Sequence, residues 1–325
     1  MSTSVGEHPA VSVVVETVNA RYGVGGGRSL AEELAPALTG LERQSYPHDE
    51  TEAIVVVDRD LPRAAADELV QRFPFVRLAE SPAANYFAAK NAGADAARGS
   101  IVAMLDGDCE PSVDWLARLV SRFGPHTAVV AGRTRYAGTS LARRTLSVPG
   151  FGYIVSDRSG AATGFNLNNV AFRRQVLRET PLDERIRRDG GCSLLFHQLR
   201  AAGREMVYEP RAVVAHGVGD IEGVRFVRKH FGRGYDCVGL YRRDDRGVLR
   251  GTPVLRRYGR AALVPITVHR ILRDWSFLAR YWRQIGVPAY SVPYFGLVAV
   301  GLRSIELAGM VAATVDPDRH ARDSS

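Results

Sequence analysis

Apolar residues along this chain fall into short unbroken runs separated by stretches of helical period. Val11-Ser12-Val13-Val14-Val15, Ala53–Val57 and Ile101–Leu105 each have the length of a buried strand. Leu30, Leu34, Leu38 and Leu41 recur at helical spacing. The pattern then predicts helices near 63–73, 86–98 and 113–123, and a strand near 75–78. Strands alternating with helices predict a parallel α/β sheet. Two of the runs stop at acids, one at Asp58-Arg59-Asp60 and one at Asp106-Gly107-Asp108. Open α/β sheets bind ligands at the C-terminal ends of their strands, where these acids are expected.

The middle of the chain is less regular. Val148–Ala162 reads as a Gly- and Ser-rich loop, followed by helices over 170–178 and near 193–202. A strand pair near 206–214 is expected to end at His216. Beyond it, Gly223–Arg233 is basic and aromatic, and reads as a helix with a solvated basic face or as a segment lying over a bound diphosphate. Pro265 suits a first helical turn. Val268, Ile271, Trp275, Leu278, Trp282 and Ile285 then follow in steps of three and four, with Arg270, Arg273, Arg280 and Arg283 on the remaining faces. Such a stripe fits docking on the rest of the protein and lying in a membrane interface alike. Val292–Val315 is more apolar, but Arg303 and Glu306 interrupt it. A charge at the centre of a span costs about 2.5–3.5 kcal/mol on insertion scales, so an interfacial or re-entrant helix is expected rather than a full span.

Composition narrows this picture. A chain of 325 residues with 46% apolar content supports a sizeable core. The excess of 43 Lys+Arg over 35 Asp+Glu gives +8. A basic surface faces nucleic acid, anionic lipid or phosphorylated substrates. No nucleic-acid-binding motif is present, so nucleic acid is not expected as a partner. Cys109, Cys192 and Cys237 are odd in number and widely spaced, giving neither a disulfide framework nor a zinc pattern. This fits a reducing cytoplasm. The first ten residues lack a basic start followed by an apolar core, so no signal peptide is expected. Gly23–Gly27 has neither P-loop nor dinucleotide spacing and is given no phosphate role.

Asp106 and Asp108 lie at i and i+2 of a near-extended segment and point to the same side. Gly107 puts no side chain between them. Carboxylate oxygens suit a hard cation such as Mg²⁺ or Mn²⁺, which also holds phosphates. A solvated turn after a strand accounts for the same three residues.

Five segments together resemble glycosyltransferase family 2. VSVVVETVN at Val11–Asn19 resembles the opening VSVVIPTYN, with Glu16 in place of the usual Pro. VVVD ending at Asp58 resembles the second-strand VVDD. AKNAGADAARGSIVAMLDGD at Ala89–Asp108 resembles ARNxGxxxAxGxxxxxLDxD. NVAFRR at Asn169–Arg174 resembles the acceptor-side NxAFRR, and YEPRAVVAH at Tyr208–His216 resembles YxPxAVVxH. The resemblance covers about residues 10–235. It implies a GT-A fold, an α/β plan with a mostly parallel sheet flanked by helices, and a helical C-terminal extension.

The implied activity is transfer of a sugar, most often from a UDP-sugar, to an acceptor hydroxyl, with inversion and a metal cofactor. By the same resemblance Thr17, Asn19, Asp58, Lys90, Asn91, Asp106 and Gly107 contact the nucleotide-sugar. Asn169 and Arg173 lie on the acceptor side, and Asp106, Asp108 and His216 hold Mg²⁺ or Mn²⁺. The metal neutralises the leaving diphosphate.

One departure concerns the catalytic base. The Glu-Asp expected at the start of the helix near Ser193 is replaced by Gly191-Cys192. A thiol is a poor carboxylate substitute near neutral pH. Asp189 is the nearest candidate base, with Asp183 and Glu184 further off. A base-free mechanism and an impaired, nucleotide-sugar-binding or scaffold subunit stay open. A sugar-nucleotide pyrophosphorylase shares the sheet plan but needs a Gly-rich loop directly after the first strand, where Thr17-Val18-Asn19 stands. The expected layout is a tail at 1–9, a catalytic domain at 10–235 and a helical region at 236–325. Segment 265–315 contacts the inner face of the cell membrane if it meets lipid, in which case the acceptor is lipid-linked.

Overall fold

The structure is a computed structural model, which describes residues 9–19, 27–82, 85–138, 150–151, 154–186, 189–217, 223–286 and 288–316. The expected N-terminal tail lies almost wholly outside these residues, as does most of Gly23–Gly27 and part of Val148–Ala162. The chain divides into two compact units. The first comprises Met1–Arg135, Ser156–Glu184 and Gly203–Gly217, and the second Tyr136–Val155, Arg185–Ala202 and Val218–Ser325.

The first unit carries the sheet. Its elements run β1 (Val11–Glu16), α1 (Leu30–Glu33), α2 (Ala35–Glu42), β2 (Thr51–Asp58), α3 (Arg63–Arg72), β3 (Val76–Ser81), α4 (Tyr86–Ala96), β4 (Ile101–Asp106), β5 (Cys109–Pro111), α5 (Trp115–Val120), β6 (Thr127–Tyr136), β7 (Asn169–Arg173), α6 (Arg174–Glu179) and, after an excursion into the second unit, β8 (Glu205–His216). The strand order is β3-β2-β1-β4-β7-β6-β8-β5. Strands β1 to β4 pair in parallel, as the alternation predicted. The other half is different: β7 runs antiparallel to both β4 and β6, and β5 antiparallel to β8. The core gathers Val11, Val13, Val15, Val55, Ala103 and Leu105 with Leu34, Leu38 and Trp115 from the helices. Asn85 caps α4 by accepting from the Phe87 and Ala88 amides.

Two local expectations need correction, and one strand is new. Residues 170–178 are not one helix, because Val170-Ala171-Phe172 is fully buried between β4 and β6 as strand β7, and the helix starts only at Arg174. The pair of strands near 206–214 is one strand of twelve residues, β8, which continues through the exposed Pro210. Strand β6 was not anticipated, since Gly132 and a basic second half break its apolar pattern. A Cβ on Gly132 would fall 2.0 Å from Asn169 Oδ1, so the strand accepts only glycine there.

The second unit is helical, with α7 (Gly191–Ala201), α8 (Gly223–Arg243), α9 (Gly251–Tyr258), α10 (Leu263–Ile285) and α11 (Val292–Val315). Helices α8 and α11 approach backbone to backbone. A Cβ on Gly234 would lie 1.8 Å from the Glu306 carbonyl oxygen, and one on Gly309 would lie 2.0 Å from that of Phe231. Glu306, the acid that interrupts the apolar pattern, is buried among cations. Arg270 lies 2.8 Å from it, His230 3.2 Å, and Arg303 is also bound. Asp274 extends the network to Arg303 at 2.8 Å. Burial alone would raise the Glu306 carboxyl, but Arg270, the His230 hydrogen bond and Arg303 together hold it well below the usual range.

Candidate functional site

The parallel register places Glu16 at the end of β1 directly beside Asp106 at the end of β4. The chain then turns through Gly107. A Cβ there would lie 2.6 Å from Leu34 Cδ2 and 2.8 Å from the Glu16 carbonyl oxygen, so the turn rests on the strand end without room for a side chain. Strand β5 follows at once, and its pairing sets Cys109 opposite His216 of β8. The Gly217 amide donates to the Asp108 carbonyl at 2.8 Å and closes this corner.

The two aspartates have different surroundings. Asp106 is buried. Its Oδ1 lies 2.8 Å from Lys90 Nζ and accepts from the Tyr86 hydroxyl at 2.8 Å, while Oδ2 accepts from Asn19 Nδ2 at 3.2 Å. Lys90 is completely buried, and its ammonium also donates to the carbonyls of Leu105 (2.7 Å) and Leu167 (3.3 Å). The pairing and these hydrogen bonds offset the cost of burying the two groups. Glu16 is the third carboxyl of the cluster. It accepts from the Asn19 amide at 3.1 Å and from Asn19 Nδ2 at 2.9 Å. Burial, reinforced by Asp106 and opposed by Lys90, raises its pKa to about 8, so at neutral pH it is mainly the neutral acid.

Asp108 is only partly covered, with 29% of its side chain exposed. Its Oδ2 lies 3.5 Å from His216 Nε2. His216 Nδ1 lies 2.9 Å from the Gly217 carbonyl, and Nε2 is the ring nitrogen that faces Asp108. With its proton on Nδ1, the ring can offer Nε2 to a metal. Cys109 Sγ is 3.7 Å from Asp108 Oδ1, and ligand atoms of all three residues lie within 4.8 Å of one another. Burial, then Asp108 and Asp106, push the Cys109 thiol well above its ordinary value, so it stays a neutral thiol. The remaining donors, one carboxylate and one imidazole, fit a divalent cation.

Two further predicted residues lie at the same strand ends. Thr17 is buried and donates to the Val56 carbonyl at 3.0 Å, which fixes the turn after β1. Asp58 ends β2, and its Oδ1 is buried with no hydrogen-bond partner among the described residues. A buried acceptor left unpaired is costly, and a ligand donor would relieve it.

The other predicted residues sit elsewhere. Asn91 ties α4 to the 182–184 segment, donating to the Leu182 carbonyl and to Glu184 Oε1 and accepting from the Leu182 amide. Asn169 is buried between Trp115 Nε1, from which it accepts at 2.8 Å, and the Ala212 carbonyl. Arg173 donates to the carbonyls of Thr127 and Gly124 and stacks on Phe123. Asp189 belongs to the second unit, where it pairs with Arg233 at 3.3 Å. Sequence reasoning missed Tyr86, Cys109 and Glu16 as members of the cluster. Tyr86 stands one helical turn before Lys90, a spacing that could have pointed to it.

The model of the family described as Glycosyl transferase family 2 matches residues 12–180. Glycosyltransferase AglE of Haloferax volcanii is 30% identical over 134 residues, which make up 39% of this chain and 40% of that protein. The chain thus spans about two fifths of that curated relative. Among solved structures, the mannosyltransferase PcManGT from Pyrobaculum calidifontis, in complex with GDP-Man and Mn²⁺, is similar in fold with a TM-score of 0.62. It is 18% identical, and the match covers 95% of this chain and 87% of that one.

Proposed function

The chain belongs to glycosyltransferase family 2, and on that premise we propose that it transfers a sugar from a nucleoside-diphosphate sugar to an acceptor hydroxyl. The observation that carries this reading is the corner at the sheet's C-terminal edge. There Asp108 Oδ2 and His216 Nε2 face each other at 3.5 Å, beside the buried Asp106–Lys90 pair. Asp108 and His216 would hold a divalent cation, which would supply positive charge to the leaving diphosphate. Mn²⁺ suits this oxygen–nitrogen pair and is the ion in the structurally similar mannosyltransferase.

Each residue of the chain has its own task. Asp58, with its unpartnered oxygen, accepts a hydrogen bond from the nucleoside, and Thr17 and Asn19 hold the turn beside it. Lys90, Tyr86 and Asp106 are positioning residues: they lock the strand end from which Asp108 projects, so that its geometry is set before the donor arrives. Asn91, Asn169 and Arg173 hold the surrounding segments in place. Asp189 is the proposed base that takes the acceptor proton as the sugar is transferred with inversion. The donor base is uridine by family preference and guanosine by analogy with the GDP-Man complex. The cytoplasm is the compartment proposed for the catalytic unit.

A second reading, a nucleotide-sugar-binding subunit without catalysis, is favoured by Gly191-Cys192 standing in place of Glu-Asp and by the engagement of Asp189 with Arg233. Donor hydrolysis, measured as nucleoside diphosphate released from UDP- and GDP-sugars with Mn²⁺, separates the two. The transferase reading predicts release that falls at least a hundredfold in Asp108→Asn and by a similar factor in Asp189→Asn. Donor binding without release in wild type would favour the subunit reading.

A further inference from the structure

Helices α10 and α11 present an uncharged, exposed stripe along their outer side. On α10 it comprises Val264, Val268, Leu272, Trp275 and Ala279, steps of three and four that keep one face of a helix. On α11 it comprises Tyr294, Leu297, Gly301, Ala308, Val311 and Val315, with only Ser304 polar. The exposures are large for apolar side chains: Val264 59%, Leu272 54%, Trp275 45%, Leu297 70% and Val315 67%. The two helices pack together through Arg270–Glu306, Thr267–Met310 and Leu278–Phe295. Relative to those inward positions, both stripes turn to the side of the hairpin away from α8, so they form one continuous face.

Exposed charge in this part of the chain is one-sided. Between residues 224 and 316, eleven arginines are exposed against a single exposed acid, Asp245, among the described residues. The other acids in that span are buried or half-buried, and two of them, Asp274 and Glu306, pair with Arg303. Arginines stand at both ends of α10. Arg256, Arg257 and Arg260 precede it beside the exposed Tyr258, and Arg280 and Arg283 close it, stacked on Tyr281 and Trp282. Apolar residues with aromatic and arginine flanks match the boundary between acyl chains and headgroups.

We propose that this face lies flat on an anionic lipid bilayer, with the α10–α11 hairpin in the plane of the interface. The 27-residue segment Ala289–Val315 is long and apolar enough to cross a membrane. Crossing, however, would detach Glu306 and Arg303 from Arg270, His230 and Asp274 and carry buried charges into hydrocarbon. The network therefore makes the hairpin a surface anchor and not a span. The inference is independent of the transfer reading, because it concerns lipid and not donor.

The test is flotation of purified full-length protein with phosphatidylcholine vesicles, with and without phosphatidylglycerol. Wild type should float with the phosphatidylglycerol vesicles and detach as salt is raised. Leu272→Glu with Leu297→Glu should lower partition by about tenfold or more, while circular dichroism and thermal unfolding stay unchanged, since both side chains are exposed. Arg280→Gln with Arg283→Gln should weaken binding only to the anionic vesicles. Absence of binding by folded wild type would overturn the proposal, as would equal binding by the double glutamate variant. So would a wild-type dimer that the glutamates dissociate and that ignores vesicles. Resistance to alkaline carbonate extraction from cell membranes would contradict the surface orientation.

Discussion

Replacing Glu16 by Gln should flatten the pH dependence of the first unit's stability. The folded carboxyl titrates at about 8, against an ordinary value of 4.5. Over that window the folded state holds a proton that the unfolded chain has released. A carboxyl raised in this way contributes stability that is complete below the unfolded value and is lost as pH rises through the folded one. At about 1.36 kcal/mol per unit, the loss between about pH 5 and about pH 9 amounts to about 4 kcal/mol. Gln cannot ionise, so this slope should vanish in the variant. Its amide group replaces one of the two oxygens that accept from Asn19, which costs about 1 kcal/mol at every pH and leaves the slope untouched. Urea unfolding of both proteins across that range, in metal-free buffer, gives the two curves. The variant should gain on wild type steadily as pH rises. Parallel curves would refute the assignment of Glu16 as a neutral buried acid, and with it the charge balance of the Asp106–Lys90 cluster.

Removing one member of a buried pair leaves the other uncompensated, so Lys90→Met should destabilise the fold by about 3–5 kcal/mol, read from the urea midpoint. In the second unit, Glu306→Ala strands Arg270 and Arg303 and should cost a similar amount, whereas Glu306→Leu combined with Arg270→Met and Arg303→Met should recover most of it. Gly309→Ala, whose Cβ would fall 2.0 Å from the Phe231 carbonyl oxygen, forces α8 and α11 apart. Differential scanning calorimetry should show the helical unit weakened by about 1–3 kcal/mol or more.

The parallel half of the sheet was legible because β1, β2 and β4 are unbroken apolar runs that end in acids, and helical spacing marks the segments between them. Lys90, Asp106 and His216 also stand out in the sequence, each within a family-like motif. The antiparallel half was obscured for physical reasons. Strand β7 is only five residues long and passes directly into helix α6, so Val170–Arg178 has the periodicity of a single helix. Gly132 in β6 looks like a turn residue, yet it is there to admit the Asn169 side chain. The roles within the cluster were equally hidden. Local spacing reports that Asp106 and Asp108 are neighbours, but only the pairing of β1 with β4 brings Glu16 against one of them, and only that of β5 with β8 brings His216 against the other. Glu306 reads as a flaw in an apolar helix until Arg270 and His230 are seen packed against it.

The central claim is that Asp108 and His216 hold a metal for a nucleoside diphosphate. Thermal unfolding of wild type and Asp108→Asn with UDP, GDP and dTDP, each with and without Mn²⁺, tests it most directly. A ligand at about a hundred times its dissociation constant stabilises the native state by about 2.7 kcal/mol. The account predicts such a shift for wild type with one nucleotide, only when Mn²⁺ is present, and no shift for Asp108→Asn. A shift that persists without Mn²⁺ or in the variant, or none with any nucleotide in folded wild type, would contradict it.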